Sequence, residues 1–506
     1  MRQAILLTGV VILGLHWASC TERFCENDMG CGLDERCDTE TGKCIKVDGG
    51  VAYPVDGSVT DPDGGDGGDG GPCTGPQDCT ETNQPICDVT DEICRACATS
   101  TECGQQVPAL PFCNTGTGAC VGCLNSDPDC GGTTPICDDA TESCRGCNND
   151  TDCQNELTDR PACAPDRSCV GCTDSATHCS GSTPICNQAS WTCEPCLNHA
   201  ECDTVAGGIC DYATGACIAA ADIVYVNNGV TCDDNGLCDQ STPCCSIQGA
   251  LDNAVTATRD TVLVSDGTYG RIDVTGTTSV WIVGEGQGVW ISDSSSSAQV
   301  SISDTATLTL ENVNVGDPSL AVGIGVNCLG SAFDHPAVDL YRNRIVNNGG
   351  GGVSLDDCNF RLHNNIVAGN GGGGSAFGGC RIGNLDVTAE FFHNTVANNF
   401  LGVVDPGGVF CLSSVEIRSS IIVGNTNAEL DTNCVPYFSL IEDNTGGVGS
   451  DNIVGVPTFV GGGDYHLQPG STGTDQADPA TTLTLDIDGE PRVQGAGPDM
   501  GADEVQ

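Results

Sequence analysis

The sequence predicts an all-β protein in which small disulfide-rich modules precede a parallel β-solenoid. Three observations predict this fold class. Most of the 38 cysteines recur in groups of four along the first half of the chain, and a hexapeptide ending in Asn or Asp recurs along the second. Aromatic residues make up only 4% of a chain that has 69 glycines. Self-similarity with a period of about 20 to 50 residues is typical of module arrays and solenoids.

The first 20 residues have the features of an export signal. Arg2 provides a positive charge, and an apolar run from Ala4 to Leu15 leads to small residues before Cys20. This run is too short for a membrane-spanning helix. The stretch Ala18-Ser19-Cys20 resembles the end of a bacterial lipobox, although Trp17 stands where that motif prefers Leu. We therefore expect a lipid on Cys20 and an outer-membrane protein that faces the cell surface or the periplasm. A plain signal peptide is the alternative.

The composition limits the partners that the protein can have. There are 17 basic and 69 acidic residues, which give a formal net charge of −52. Such a surface repels nucleic acids and anionic lipid headgroups, because their binding requires Lys and Arg to neutralise phosphates. We therefore expect no nucleic-acid partner. Besides the membrane, which the lipid anchor would contact, a neutral glycan or a protein is expected as the ligand.

Changes in composition divide the chain into six segments. An Asp- and Gly-rich stretch, Asp61 to Gly71, separates the first cysteines from the main array. Its regular aspartates suggest calcium, but it lacks the closing Glu of an EF-hand loop, so we interpret it as a flexible linker. The predicted segments are the signal peptide and lipobox (1–20), a single cysteine-rich module (21–47), the linker (48–72), six four-cysteine repeats (73–218), a parallel β-helix (222–460) and its C-terminal end region (461–506).

The repeats restart every 24 to 26 residues, and a CxxC motif marks each joint between neighbours. Four cysteines in so short a unit indicate two disulfides in an oxidising compartment, where the unit could not otherwise bury a core. Zinc binding and redox catalysis are the alternatives, and the pairing stays open. The repeats resemble those of myxobacterial-type surface lipoproteins. The disulfide candidates of the first two repeats are Cys73, Cys79, Cys87, Cys94, Cys97, Cys103, Cys113 and Cys120.

The remaining chain contains two stretches that resemble known families. In "SIQGALDNA", the apolar residues Ile247, Ala250 and Ala254 have helical spacing, and a strand near Val262 follows. This stretch resembles the opening of right-handed parallel β-helix proteins of the pectin-lyase-like superfamily, in which a helix plugs the first coil. The stretch from Asp464 to Glu504 resembles the C-terminal region of the choice-of-anchor Q family. These resemblances imply a right-handed β-helix but leave the activity open, because this fold hosts enzymes, adhesins and inert stalks.

The recurring hexapeptide predicts one coil of the β-helix per copy. Branched residues at its third position would stack in the core, and its last residue would form a polar ladder at a turn. The predicted ladder consists of Asp317, Asn348, Asn370, Asn399 and Asn425.

Five further cysteines follow the ladder residues at similar intervals, so we expect them to form one column. At least one bridge should join neighbours, such as Cys358 with Cys380, and one thiol should stay unpaired because the number is odd. The members of this column are Cys328, Cys358, Cys380, Cys411 and Cys434. A separate set near the plug, Cys232, Cys238, Cys244 and Cys245, would pair within itself.

No catalytic or metal-binding motif emerges from the sequence. Aligning the coils places two rows of polar and aromatic residues on the solenoid, and the pair Asp356-Asp357 lies on a loop. Calcium could bind at "DIDGEPR" (486–492), but a turn is the interpretation we adopt, and we expect no cofactor. The sequence thus predicts a non-catalytic surface lipoprotein with a binding, adhesive or structural role. The alternative is a carbohydrate-active enzyme. The two rows are Arg342, Asn364, His393 and Ser419, and Tyr341, His363, Phe392 and Arg418.

Overall fold

The computed structural model describes strands β1 (Glu35–Asp38) and β2 (Lys43–Lys46), without their side chains, and residues 72–505. The exceptions in the latter range are 127, 204, 206–207, 213, 322, 332, 373, 384–387, 403–404 and 444, and the side chains of 318–321. Cys20, the predicted signal peptide and the linker 48–71 lie outside the described residues. The chain forms two compact units, Met1–Cys73 and Thr74–Gln506. In the first unit, β1 and β2 form an antiparallel pair with Cys37 opposite Cys44.

Six small hairpins follow in the second unit, one for each predicted repeat. The third and fourth cysteines of every repeat lie opposite each other on the two strands, as Cys113 and Cys120 do. The hairpin strands are β3 (Ile86–Asp88), β4 (Ile93–Arg95), β5 (Phe112–Asn114), β6 (Ala119–Val121), β7 (Ile136–Asp138), β8 (Ser143–Arg145), β9 (Ala162–Cys163), β10 (Cys169–Val170), β11 (Ile185–Asn187), β12 (Thr192–Glu194), β13 (Ile209–Asp211) and β14 (Ala216–Ile218). Four repeats add a short helix before the hairpin, namely α1 (Ser100–Gln106), α2 (Asp150–Glu156), α3 (Ser175–His178) and α4 (His199–Asp203).

Two disulfides hold each repeat together, which confirms the disulfide interpretation. In the second to sixth repeats the first cysteine bonds to the third and the second to the fourth, as in Cys97–Cys113 and Cys103–Cys120. In the first repeat Cys79 bonds to Cys94, and Cys73 and Cys87 are also disulfide-bonded. These bonds attach the segment before the hairpin to both of its strands and supply a core that so short a unit cannot build from apolar side chains. They leave no thiolate in the described repeats for zinc or redox chemistry.

A β-helix of three parallel sheets follows the repeats, as the sequence predicts. The β-helix has one helix, α5 (Ile247–Asn253), beside its first coils. Its strands are β15 (Ile223–Val226), β16 (Thr261–Val264), β17 (Gly267–Tyr269), β18 (Ile272–Val274), β19 (Ser279–Gly284), β20 (Val289–Ile291), β21 (Ala298–Ser303), β22 (Thr307–Glu311), β23 (Asn314–Ala321), β24 (Ile324–Leu329), β25 (Ala337–Tyr341), β26 (Arg344–Asn348), β27 (Gly351–Asp356), β28 (Asn359–His363), β29 (Ile366–Ala368), β30 (Cys380–Gly383), β31 (Ala389–Phe392), β32 (Thr395–Ala397), β33 (Val409–Cys411), β34 (Val415–Arg418), β35 (Ile421–Val423), β36 (Cys434–Tyr437), β37 (Leu440–Ile441) and β38 (Ile453–Val454).

Six successive coils, from β16–β18 to β31–β33, contribute one strand to each of three sheets, and the coils at the two ends contribute to fewer. Sheet 1 has the order β15-β16-β19-β22-β25-β28-β31-β34-β36, sheet 2 the order β17-β20-β23-β26-β29-β32-β35-β37-β38, and sheet 3 the order β18-β21-β24-β27-β30-β33. The branched residues of the hexapeptides stack in register on sheet 2, and Ile345, Val367, Val396 and Ile422 are fully buried. At the start of the solenoid, α5 buries Ile247 and Ala250 against the first coils. Each coil therefore closes around an aliphatic core.

An asparagine ladder runs along the coils inside the solenoid. The side-chain oxygens of Asn370, Asn399 and Asn425 each accept the backbone N–H of the asparagine one coil earlier, at 2.9–3.0 Å. This ladder contains Asn348, Asn370, Asn399 and Asn425, and ends where Asn425 donates its own N–H to the carboxylate of Glu429. Asp317 was wrongly assigned to it. Its hexapeptide lies one residue out of register, because Asn314 pairs with Arg344 and Val315 with Ile345, and a further shift in β23 places Ala321 opposite Asn348. Asp317 accepts a hydrogen bond from Ser292.

A second buried ladder, which was not anticipated, uses the first residue of the same hexapeptides. Asn343 accepts the N–H of Val313, and the pattern repeats coil by coil with distances of 3.0–3.1 Å. The sequence contains a signal for this ladder, since all five hexapeptides begin with Asn or Ser. The members are Asn343, Asn365, Asn394, Ser420 and Ser439.

The solenoid cysteines form two bridges, but not in the single column expected. Cys328 bonds to Cys358 and Cys411 to Cys434, with Cα separations of 6.3 and 5.4 Å, and Cys380 is a buried free thiol. Each bridge joins the end of a sheet 3 strand to the beginning of a sheet 1 strand. The expected bond between Cys358 and Cys380 does not form. Cys380 lies opposite Val353 and Val409, which is two positions before the row that contains Cys328 and Cys411.

The earlier cysteines pair among themselves beside α5, Cys232 with Cys245 and Cys238 with Cys244. Burial raises the pKa of the Cys380 thiol to about 12. This thiol is therefore a small apolar group in the core rather than a reactive one.

The end of the chain folds back over sheets 1 and 2. After the hairpin β39 (Phe459–Gly461) and β40 (Asp464–Leu467), residues 468–505 have no regular structure. We call residues 464–505 the C-terminal clasp. It buries Leu467 and Met500 against Ile421 and Leu440 of sheet 2. Its Arg492 is buried and donates to three clasp carbonyls and to the side-chain oxygen of Asn364.

Candidate binding groove

The outward face of sheet 1 carries two parallel rows of aromatic and charged side chains. Side chains alternate along a strand between the two faces of a sheet. Leu310, Leu340 and Leu362 point into the core, so the residues on either side of each leucine point outwards. The first row contains Trp281, Thr309, Asp339 and Arg361, and the second Glu311, Tyr341, His363 and Phe392. The sequence alignment of the second row, through Arg418, agrees with the strand register.

These rows form the floor of a groove of about 480 Å³, which lies in the usual size range of ligand pockets. The tip of the sixth cysteine repeat, at Asp211 and Tyr212, bounds the groove where the repeat covers the first coils. The clasp, at Leu483–Leu485, forms a wall. The groove thus combines residues from three parts of the chain that are far apart in sequence.

Glu311 is buried beneath the repeat-side wall in a network of donors. Arg342 pairs with its carboxylate, Trp281 donates its indole N–H at 3.0 Å, and His199 Nε2 lies 3.5 Å away. Burial alone would raise the pKa of Glu311, but the charge of Arg342 and the hydrogen bond from His199 outweigh this effect and hold the pKa at about 2. Glu311 is therefore a permanent anion that holds the wall to the floor.

Asp339 and Arg361 form a second ion pair, on the groove floor. The guanidinium donates in a bidentate arrangement, with Nε 2.9 Å from Oδ1. The hydrogen bond to Asp339 raises the pKa of Arg361 above its usual value. Arg361 is thus a fixed cation and cannot act as a base near neutral pH.

His363 is the residue of the floor whose hydrogen-bonding capacity is least used. Its ring stacks parallel to Phe392 with 5.3 Å between centroids and meets the Tyr341 ring edge-on. Burial lowers the pKa of His363 to about 4, helped by the charge of Arg361, so the ring is neutral at pH 7. Nε2 lies 3.0 Å from Glu390 Oε2, but the geometry is not that of a hydrogen bond, and neither ring nitrogen has a hydrogen-bond partner within the described part of the chain.

The other predicted row has a structural role. Arg342, Asn364, His393 and Ser419 all have positive φ, between 51° and 58°, at the corner between sheets 1 and 2. Three of them hold the clasp. Asn364 donates to the carbonyl of Leu485, His393 contacts Thr481 and the carbonyl of Asp499, and the hydroxyl of Ser419 accepts the N–H of Asp478.

The remaining candidates do not join the groove. Asp356 pairs with Arg381, and the carbonyl of Asp357 contacts His335. In "DIDGEPR", the carboxylate of Asp486 accepts the backbone N–H groups of Asp488, Glu490 and Glu504, which is the arrangement of a turn. Burial raises the pKa of Glu429 and of Glu504 to about 7, but these two acids belong to the ladder and the clasp.

Three comparisons with known proteins place limits on these observations. Residues 123–224, well under half of the chain, match a family described as "Family of unknown function (DUF8331)". Among solved structures, the crystal structure of pectate lyase Pel9A is similar, with 13% identity and a TM-score of 0.31 over 56% of this chain and 96% of that one. This likeness says nothing about activity, and the β-helix rests on the strand register described above. No match was found among curated proteins.

Proposed function

We propose that the protein is an exported, lipid-anchored surface protein that binds a neutral oligosaccharide in the groove of its β-helix without cleaving it. The observation that carries this proposal is the aromatic floor and wall formed by Trp281, Tyr341 and Tyr212. Flat aromatic faces pack against the C–H faces of sugar rings, while the hydroxyl of Thr309 can bond sugar hydroxyls.

The charge of the groove favours a neutral glycan over an acidic one. Asp339 and Arg361 neutralise each other on its floor, Glu311 is paired with Arg342, and Asp211 adds a further acid. The whole chain has a formal net charge of −52. A polyuronate would therefore meet long-range repulsion, and would find Arg361 and Arg342 already paired, unless calcium bridged the two.

The ion pairs also favour binding over catalysis. Glu311 with a pKa of about 2 is a poor general acid, and Arg361 with a raised pKa is a poor base. The alternative is a carbohydrate-active enzyme on the same face. His363 favours this alternative, because it lines the groove, is neutral at pH 7 and has no hydrogen-bond partner for either ring nitrogen among the described residues.

One experiment separates these functions. The purified protein is incubated with cello-, xylo- and manno-oligosaccharides and with polygalacturonate, with and without calcium, while calorimetry records binding and absorbance and reducing-sugar assays record products. We expect saturable binding of a neutral series and no products. Unsaturated ends or new reducing ends that disappear in His363→Ala would establish the enzyme instead. Heat exchange with none of the sugars would refute the proposed ligand.

Export and anchoring have separate support. The oxidised repeats require a compartment in which disulfides persist, which fits an exported protein. No helix among the described residues is long and apolar enough to cross a membrane. A lipid on Cys20 is the anchor we propose, with the cysteine repeats as the stalk and the outer membrane as the location.

A further inference from the structure

The first coils of the β-helix have no free outward face on sheet 1. The sixth repeat and the link that follows it pack Ile209, Ile218 and Ala220 against Tyr225, Leu263 and Val283, which point outwards from β15, β16 and β19. Trp281 belongs to the same cluster at its edge. The exposed part of the face therefore begins at Trp281, where the groove begins.

The sixth repeat differs from the other repeats at the residues that make this contact. In four other repeats the N–H of the third cysteine is bonded by a short side chain, namely Ser100, Ser126, Asp150 or Ser175. In the sixth repeat His199 Nδ1 accepts this bond from Cys210 at 3.1 Å. The proton of the ring then lies on Nε2, which faces Tyr212 and Glu311 at 3.4 and 3.5 Å.

Tyr212 is the second specialised position. It lies two residues after the third cysteine, where the other repeats have Val89, Thr115, Asp139, Pro165 and Gln188. Its hydroxyl accepts a hydrogen bond from Arg342 at 3.2 Å, and its ring lies 5.1 Å from His199 and 6.5 Å from Trp281 between centroids. The ring is 41% exposed, and its free surface faces the groove. His199 and Tyr212 thus form a fixed barrier across the N-terminal end of the floor.

The opposite end of the floor has no such barrier among the described residues. Beyond Arg361 and His363 the two rows continue to Glu390 and Phe392, which are partly exposed, and then to Arg418 in register. The lined floor from β19 to β28 spans four strands, or about 14 Å at the usual spacing of parallel strands.

From this geometry, and on the basis of the proposed function, we infer that the groove receives the end of a neutral glycan chain rather than an internal segment. A polymer that ran along the solenoid axis would meet Tyr212. A chain end can abut the Tyr212 ring while its terminal sugars lie over Trp281 and Tyr341.

The test uses the full-length protein and cellohexaose in three forms, unmodified, blocked at the reducing end and blocked at the non-reducing end, together with soluble mixed-linkage β-glucan. We expect one of the two blocks, and only one, to weaken binding at least about tenfold in calorimetry. The polymer should bind about one protein per chain, at its end.

Two variants and a matched control complete the design. Tyr212→Ala opens the barrier and should make both blocked oligosaccharides bind alike, whereas Tyr212→Phe keeps the ring and should keep the preference. Gln188→Ala, at the equivalent position of the fifth repeat, should behave as wild type. Equal affinity for all three oligosaccharides, with many proteins per polymer chain, would overturn the inference and leave the proposed function standing. Absence of binding to every glycan would overturn both.

Discussion

At the scale of single residues, Glu429 shows how the last N–H group of the asparagine ladder obtains a hydrogen-bond acceptor. The asparagine ladder needs an acceptor after its last member, and the carboxylate of Glu429 accepts both the N–H and the side-chain amide of Asn425. The position is buried, and this burial raises the pKa of Glu429 to about 7. The last acceptor of the ladder is therefore a carboxyl group whose ionisation near neutral pH destabilises the folded state.

A pH dependence of stability follows from this raised pKa. Between the ordinary pKa of 4.5 and the folded value of about 7, the folded state binds a proton that the unfolded state has lost. The stability that Glu429 contributes is thus complete below pH 4.5 and is lost as the pH rises to 7. Glu429→Gln should gain stability relative to wild type across this window, by on the order of 2 kcal/mol.

Urea unfolding at pH 4.5, 6 and 7.5 measures the difference between the two proteins. Glu81→Gln, on an exposed part of the first repeat, serves as the control and should show no such trend. A constant difference between Glu429→Gln and wild type at all three pH values would show that the pKa of Glu429 is not raised.

At the scale of elements, the sequence predicts the features that repeat from coil to coil. It does not predict the features that depend on contacts between distant segments. The hexapeptides established the coils, one ladder and the buried branched stack because each coil repeats the same local pattern. The row of Arg342, Asn364, His393 and Ser419 was aligned correctly, but its purpose could not be deduced. Its partners lie in the clasp, and Leu485 is 121 residues from Asn364. Likewise, the hexapeptide that contains Asp317 resembles its neighbours in sequence but lies one residue out of register with them, which only the strand pairing reveals.

The ladder predicts a large penalty for shortening one of its members. The side-chain oxygen of Asn399 accepts two hydrogen bonds from Asn370, and its amide donates to Val367 O. Asn399→Ala would leave these buried groups without partners, so we expect a loss of about 2–3 kcal/mol in the free energy of unfolding. Guanidinium unfolding measures it, and Asn155→Ala on an exposed helix position should stay within about 0.5 kcal/mol of wild type. Equal stability of the two variants would contradict a structural role for the ladder.

At the scale of the whole molecule, the groove exists only because three distant segments meet. Sheet 1 provides the floor, the sixth repeat provides Tyr212, and the clasp provides Leu483–Leu485. The sequence suggested a stalk and a solenoid as separate parts, since cysteine spacing gives no information about what a repeat packs against. The docking depends on His199, Tyr212 and Trp281, which are isolated positions without any periodic pattern.

Membrane attachment is the prediction that belongs to the intact protein. Cys20→Ala should move the protein from the membrane fraction to the soluble fraction, because a lipid chain is the anchor that we propose. Fractionation of cells with immunodetection, together with labelling by radioactive palmitate, measures this change. Cys25→Ala is the control and should remain labelled. Membrane association of Cys20→Ala equal to that of wild type would refute the lipid anchor.

The most direct test of the central claim, that the sheet 1 groove binds a neutral glycan, is the intrinsic tryptophan fluorescence of the full-length protein during titration with cellohexaose and xylohexaose. Trp281 lies on the groove floor, whereas Trp290 lies on sheet 2 and serves as a matched control. We predict a saturable change in emission with at least one oligosaccharide, abolished in Trp281→Phe and retained in Trp290→Phe. No change in wild type with either sugar, or a change that persists in Trp281→Phe with unaltered affinity, would contradict the claim.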